Sequence, residues 1–393
     1  MAFADTSTYT LAYAKESTFD EPVAGTGVYK LLRNTGESLN TSLESARSDE
    51  IDSSRQYTGS VHVSGTSAGS VNFQLSYAEY DDFFEAVLQS ADWSAGYSDT
   101  GTNITSNVVT VTSTAGLKVG KLVKLSGLAA TTEDDIYTVH AISDPTHFET
   151  AENLTDEAVA SVTITNSGTI ENGSTQRSYT FEKNFQVDGV NNYFNMSGMR
   201  AGSMSLSLAS GSILSGEIGL QGATGVGTGT TSQDAGTYIA TTTNELMNSV
   251  SDVTGLTMYS VTTAGVLALM SGTFQELSIN LNNNLRDQTA VGSLFPAGIG
   301  SGRIDVEATA SLYFASQAFF NQFLANGSIQ IRCKISDPAG NTYGIVLPEM
   351  KIASHEVTAS GADADVMASV TFSGVKDTRS GTAASIIMTR IAA

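Results

Sequence analysis

Two stretches of this chain, "GSVNFQLSYAEYDDFFEAVL" (69–88) and "SGRIDVEATASLYFASQAFFNQFL" (301–324), have the same plan. Each runs from a glycine-led alternating strand into a short helix-like segment holding a Phe-Phe pair. A unit used twice constrains architecture more than any local propensity does, because the fold must house both copies. The likeness extends on both sides. "LNTSLESARSDE" (39–50) matches "LSINLNNNLRDQ" (277–288), and 189–222 matches 340–374, aligned on Tyr193 and Tyr343. Both halves read strand, long loop, strand, helix, strand, hairpin, strand.

Phe83-Phe84 and Phe319-Phe320 are 236 residues apart, whereas Tyr193 and Tyr343 are 150 apart. The first copy therefore carries an extra segment, 92–176. "NVVTVTS" (107–113), "KLVKLSG" (121–127), "IYTVHAISDPTHFETA" (136–151) and "AVASVTIT" alternate as short strands, so the segment reads as a small β domain facing outward. The expected division is an arm at 1–22, a first β unit at 23–91 and 177–222, and the insertion at 92–176. A Gly/Thr linker at 223–244, extended or mobile, leads to a second unit at 245–375 and a C-terminal arm at 376–393.

Alternation sets which way the strands face. Val71, Phe73, Leu75 and Tyr77 oppose Asn72, Gln74 and Ser76, and Met204, Leu206 and Leu208 oppose Ser203, Ser205 and Ser207. Ile218 and Leu220 oppose Glu217. In the second copy Ile279 and Leu281 oppose Ser278 and Asn280, and Ile304, Val306 and Ala308 oppose Asp305, Glu307 and Thr309. The apolar faces call for a covering helix, which Phe83, Phe84, Val87 and Leu88 offer. The polar faces hold no Lys or Arg, in contrast to "SIQIRCKI" (328–335), where Arg332 and Lys334 occupy the polar side.

Composition narrows the function. The chain of 393 residues has 40 acidic and 19 basic residues and a net charge of −21. Nucleic-acid phosphates are bound by clustered cations, so this balance suits a surface that polyanions pass without sticking. One cysteine, Cys333, leaves no disulfide framework or cysteine-based zinc cluster. The N-terminus lacks a basic and apolar leader, and no apolar run is long enough for a membrane span, so a soluble cytoplasmic product is expected.

Enzyme signatures are weak. "GTSAG" (65–69) has the spacing of a nucleophile elbow, but a strand follows it where a helix is needed. "GVGTGT" (225–230) lacks the Lys-Ser/Thr of a phosphate loop. His62, His140, His147 and His355 have no ligand spacing, and Asp363 and Asp365 fall short of a calcium loop. The carboxylates of "AEYDDFFE" (78–85) read as the exposed side of an amphipathic turn. No catalytic residue, metal site or cofactor is expected.

The runs 45–93, 195–222 and 278–314 resemble the tail tube (major tail) proteins of long-tailed, non-contractile bacteriophages. The resemblance covers about 25–91 and 177–375 and leaves out the insertion. It implies a mainly β fold of two tandem tube β-sandwich domains, each with a flanking α-helix, to which the strands of 92–176 add the small inserted all-β domain. It further implies a structural virion protein whose inner sheets join into a β-barrel, stack as rings and conduct DNA. Six tube domains close such a ring, so a duplicated chain implies homotrimeric rings with pseudo-sixfold appearance. Tape-measure, tail terminator and tail tip proteins would be partners, with assembly in the host cytoplasm and no membrane.

On that reading Asn72, Gln74, Ser76, Ser203, Ser205, Ser207, Glu217, Asn280, Asp305, Glu307 and Thr309 face the lumen. The long loops 46–65 and 285–302 would bridge successive rings through Ile51, Tyr57, Val61, Val291, Leu294 and Phe295. Two other readings share parts of the pattern. A contractile-tail or secretion-system tube protein usually has one shorter copy, and an extracellular β-repeat adhesin or surface-layer protein should carry an export signal.

Overall fold

A computed structural model describes residues 3–130, 133–158, 161–262, 266–359, 361–377 and 383–393. The first copy runs β1 (Thr10–Lys15), β2 (Lys30–Leu31), β3 (Gly36–Glu37), β4 (Asn40–Arg47), β5 (Ser60–Gln74) and α1 (Asp81–Leu88). Seven short strands follow: β6 (Tyr97–Gly101), β7 (Asn103–Thr105), β8 (Val108–Thr110), β9 (Leu122–Ser126), β10 (Ile136–Asp144), β11 (His147–Thr150) and β12 (Val162–Asn166). Next come β13 (Gly168–Glu171), β14 (Tyr179–Val187), β15 (Val190–Ala209), β16 (Ser215–Gly222) and β17 (Thr224–Gly229).

The second copy runs β18 (Val253–Val261), β19 (Leu267–Met270), β20 (Phe274–Asn282), β21 (Arg286–Gln288), β22 (Gly298–Gly300) and β23 (Asp305–Tyr313). It ends with α2 (Ala318–Leu324), β24 (Ser328–Ser336), β25 (Thr342–Ala359), β26 (Val366–Gly374) and β27 (Ile387–Ile391). The protein is mainly β and antiparallel, and no described helix is long and apolar enough to cross a membrane.

Strand pairing repeats between the copies. In the first, β4, β5, β16 and the C-terminal half of β15 lie side by side; in the second, β20, β23, β26 and the C-terminal half of β25 do. A second sheet covers each: β2, β1, β14, the N-terminal half of β15 and β17, and correspondingly β19, β18, β24, the N-terminal half of β25 and β27. The long strands β15 and β25 pass from one sheet to the other. In β15 the change of direction occurs at Gly198, whose φ of +68 suits a residue without Cβ.

Helix α1 plugs the first sandwich. Phe83, Phe84, Val87 and Leu88 are all buried, worth about 1.5–3 kcal/mol each relative to exposure. Phe83 lies 4.7 Å from the Tyr13 ring and 5.4 Å from that of Tyr179. Its first-turn acids, Asp81 and Asp82, suit the helix dipole. In α2 only Phe319 is buried.

Several segments differ from the sequence reading. Both arms join sheets: β1 pairs with β14, and β27 lies between β25 and β13. β13, inside the segment assigned to the insertion, thus extends the second copy's covering sheet. The stretch 223–244 is tied down as well. Its β17 pairs with β15, and the Asp234 carboxylate accepts from the N–H groups of Gly27 (2.7 Å), Val28 (3.1 Å) and Tyr29 (3.1 Å).

Strands β6 to β12 form a seven-stranded sheet with its own core around Val109, Val123, Leu125, Phe148 and Ile164. It sits on the side of the second copy's covering sheet that faces away from the core cluster of Ile345 and Leu347. Leu122 and Ile136 pack on Val346, Ile387 and Ile391. A Cβ on Gly344 would come within 2.4 Å of Leu122, so close approach requires glycine there. The cations that set strand 328–335 apart serve this contact: Lys334 donates to the Ile136 carbonyl (2.8 Å) and Arg332 pairs with Glu152 (3.5 Å).

Candidate functional site

The sheet of β4, β5, β16 and β15 and the sheet of β20, β23, β26 and β25 form one surface. β15 pairs with β20 in continuous register, Ser203 opposite Asn282, Ser205 opposite Asn280 and Ser207 opposite Ser278. Eight strands therefore run in the order β4, β5, β16, β15, β20, β23, β26, β25. Paired residues share a face, so side chains line up in rows across the sheet. One row is Asn72, Glu217, Ser205, Asn280, Glu307 and Ser373. The next is Gln74, Ser215, Ser207, Ser278, Thr309, Thr371 and Ser354, with no charge.

Apolar side chains of the same strands, Phe73, Met204, Leu206, Ile279, Val306 and Phe372 among them, are buried in the core behind. Lys351, opposite Ser373, turns its ammonium to the Asn326 carbonyl and the Ser328 hydroxyl. The face thus presents hydroxyls, amides and carboxylates.

Ten of the eleven lumen candidates share this one sheet face. The exception is Ser76, which is fully buried and accepts from Arg33 Nη1 (3.2 Å). β5 ends at Gln74 and the backbone turns, with Ala78 at φ +63, so strand alternation no longer applies. The register adds Glu276, opposite Ser311, and Glu356, opposite Ser369. The Ser354–Glu356–Thr358 alternation in β25 is the sequence signal for the latter.

At one end of the sheet stand two hairpins, β4–β5 and β21–β22. Ile51, Tyr57, Val61, Val291 and Leu294 are exposed there, and Phe295 is half-buried. The hairpins touch each other: Gly65 N–H donates to the Leu294 carbonyl (2.8 Å), and a Cβ on Gly65 would meet the Phe295 ring.

Each end of the eight-strand sheet has an edge. β4 pairs only with β5, and β25 from Ser354 onward pairs only with β26, among the described residues. Their counterparts in the middle, β20 and β15, are paired on both sides.

The motifs with enzyme-like spacing are structural. "GTSAG" lies within β5, and the Ser67 hydroxyl is buried against that of Thr41 (2.8 Å). "GVGTGT" lies on β17 and the residue after it. The acids of "AEYDDFFE", expected on an exposed side, are mostly inside. Asp81 meets the Tyr343 hydroxyl and Arg390, Asp82 meets Tyr13 and Lys30, and Glu85 meets Arg177. Burial pushes the carboxyls of Asp81 and Glu85 up; Tyr343 and Arg390 pull the first back, and the Trp93 N–H and Arg177 the second. Among the described residues no group of three or more His, Cys, Asp or Glu is placed to hold a metal.

No curated protein matches the chain in sequence. Residues 6–374 match the family model for the phage tail tube protein, and the chain belongs to that family.

Proposed function

We propose that the protein forms the tube of a long, non-contractile phage tail, with three chains per ring and the polar sheet face lining an acidic lumen. One observation carries this reading: the chain contains a finished domain junction, β15 with β20, and the two unpaired counterparts of that junction, β25 and β4, at its ends. Joining β25 of one chain to β4 of the next repeats the internal junction and uses two different edges. Such head-to-tail contacts close into rings and remove free sheet edges. The resemblance to tubes of six domains supports three chains per ring, each supplying two.

Rings stack through the hairpins that carry Ile51, Tyr57, Val291 and Leu294. DNA passes the lumen without specific binding, because Glu217, Asp305 and Glu307 repel phosphate and no cation on the rows attracts it. Tape-measure, terminator and tip proteins would meet the lumen and the tube ends, with assembly in the host cytoplasm. The test is mass per length on purified tubes combined with cross-section averages. Three chains per ring are expected; six chains per ring, or a protein that stays monomeric at high concentration, would overturn the reading.

A further inference from the structure

We infer that the face of α2 carrying Phe320 and Leu324 docks into a groove beside Phe194 on a second copy of this chain. This rests on the ring reading and names the side-chain contact behind the paired edges. Inside one chain the corresponding contact is already made by α1. Phe84 meets the Tyr343 ring edge-on at 5.6 Å, Tyr77 lies 5.1 Å from the same ring, and Asn283 donates to the Val87 carbonyl (2.7 Å).

Among the described residues the same positions on the second copy meet side chains of their own copy: the Phe320 ring lies 6.5 Å from that of Phe323 and 5.7 Å from that of His355. Phe319 matches Phe83 and is buried, but Phe320, which matches Phe84, is 40% exposed. Leu324, at the place of Leu88, is 68% exposed. An apolar cluster of this kind on an assembling protein marks a contact surface.

Register identifies the receiving side. Ile345 lies opposite Cys333 on β24 and Met388 on β27, and Met196 lies opposite Phe181 on β14 and Gly225 on β17. Two residues earlier on the same face stand Tyr343 and Phe194. Where Tyr343 is covered, Phe194 is 43% exposed, at a groove of about 470 Å³ lined by Leu39, Thr41, Phe185 and Met196. Leu39 and Thr41 border and belong to β4, the open edge. Pairing β25 with β4 of the next chain would carry α2 over this groove, as β15 with β20 carries α1 over Tyr343. Because α2 has no acid in its first turn and Phe194 no hydroxyl, the Asp81–Tyr343 hydrogen bond has no counterpart in the contact between chains.

The experiment pairs Phe320→Cys with Phe194→Cys in the full chain and adds a short bis-maleimide. Cys333 is buried, and burial pushes its thiol up to about 12, so it stays silent at neutral pH. Covalent species up to three chains are expected on a denaturing gel. In parallel, Phe320→Glu, at a half-exposed site, should lower the ring fraction about tenfold or more at fixed concentration. Rings without the cross-link, or rings undiminished by Phe320→Glu, would overturn the docking while leaving the ring reading intact. An unsubstituted chain that forms no ring would remove both.

Discussion

The Tyr343 hydroxyl donates to the carboxylate of Asp81, 262 residues earlier in the chain, and thereby pins the helix of one copy to the sheet of the other. Arg390 from the C-terminal strand completes the contact. Tyr343→Phe keeps the ring packing on Phe84 and removes the hydroxyl. A loss of about 1.5–3 kcal/mol is expected, since the bond is to a charged, buried group. Urea unfolding of the variant measures it; unchanged stability would show that Arg390 alone holds Asp81.

Glu217 and Glu307 share one row, separated by Ser205 and Asn280. Changing both to Lys should leave assembly intact, because neither contributes to the core behind the sheet. Genome delivery should slow and become salt-dependent, as phosphate contacts multiply along the tube. Infection kinetics at two ionic strengths, beside electron microscopy of the tubes, test this; normal delivery through lysine-lined tubes would contradict the lumen assignment.

Removing the β6–β12 sheet would bare Val346 and Ile387 and leave Arg332 without Glu152. Simple excision of 95–166 should therefore give poorly soluble protein. Excision combined with Val346→Thr and Ile387→Thr should recover soluble chains that still form rings. Sedimentation of the two versions decides; equal solubility would mean that the contact is dispensable.

Residues 289–297 reach over Gly65 and expose Val291 fully. Their replacement by a short turn should leave ring formation unchanged and stop stacking. Negative-stain images should show single rings; long tubes would refute the role of this loop.

Asp144 accepts from the Thr146 N–H and from His147, which holds its carboxyl down at about 2. A depressed carboxyl stabilises the β10–β11 hairpin above its usual value of 3.8, and that contribution is lost as pH falls through about 2. Asp144→Ala should open this hairpin to proteolysis at pH 7, with the difference from the unsubstituted chain fading by about pH 2. An acid-stable protease and mass mapping of 136–150 would show it; equal cutting at pH 7 would contradict it.

Strand faces were legible in the sequence because alternation is a property of the extended backbone itself: Val71, Phe73 and Ile218 inward, Asn72 and Glu217 outward. The duplicated strand–helix unit was legible for a similar reason, since Phe83 and Phe319 fill the same place in equivalent cores. What the letters did not carry was pairing between distant strands. Backbone hydrogen bonds join β15 to β20 and β13 to β27 without a side-chain signature, and bulges shift the register of β15 against β16 and β17. Matching Tyr193 to Tyr343 by residue type was thus one residue out; the sheets equate Phe194 with Tyr343, and a slip of one reverses the face. Burial of Asp81 and Glu85 was equally hidden, because Arg390, Tyr343 and Arg177, which make it tolerable, arrive from elsewhere in the chain. Local chemistry determined what each strand shows to either side. Only the tertiary structure decided which strands meet, where the insertion rests, and which two edges remain open.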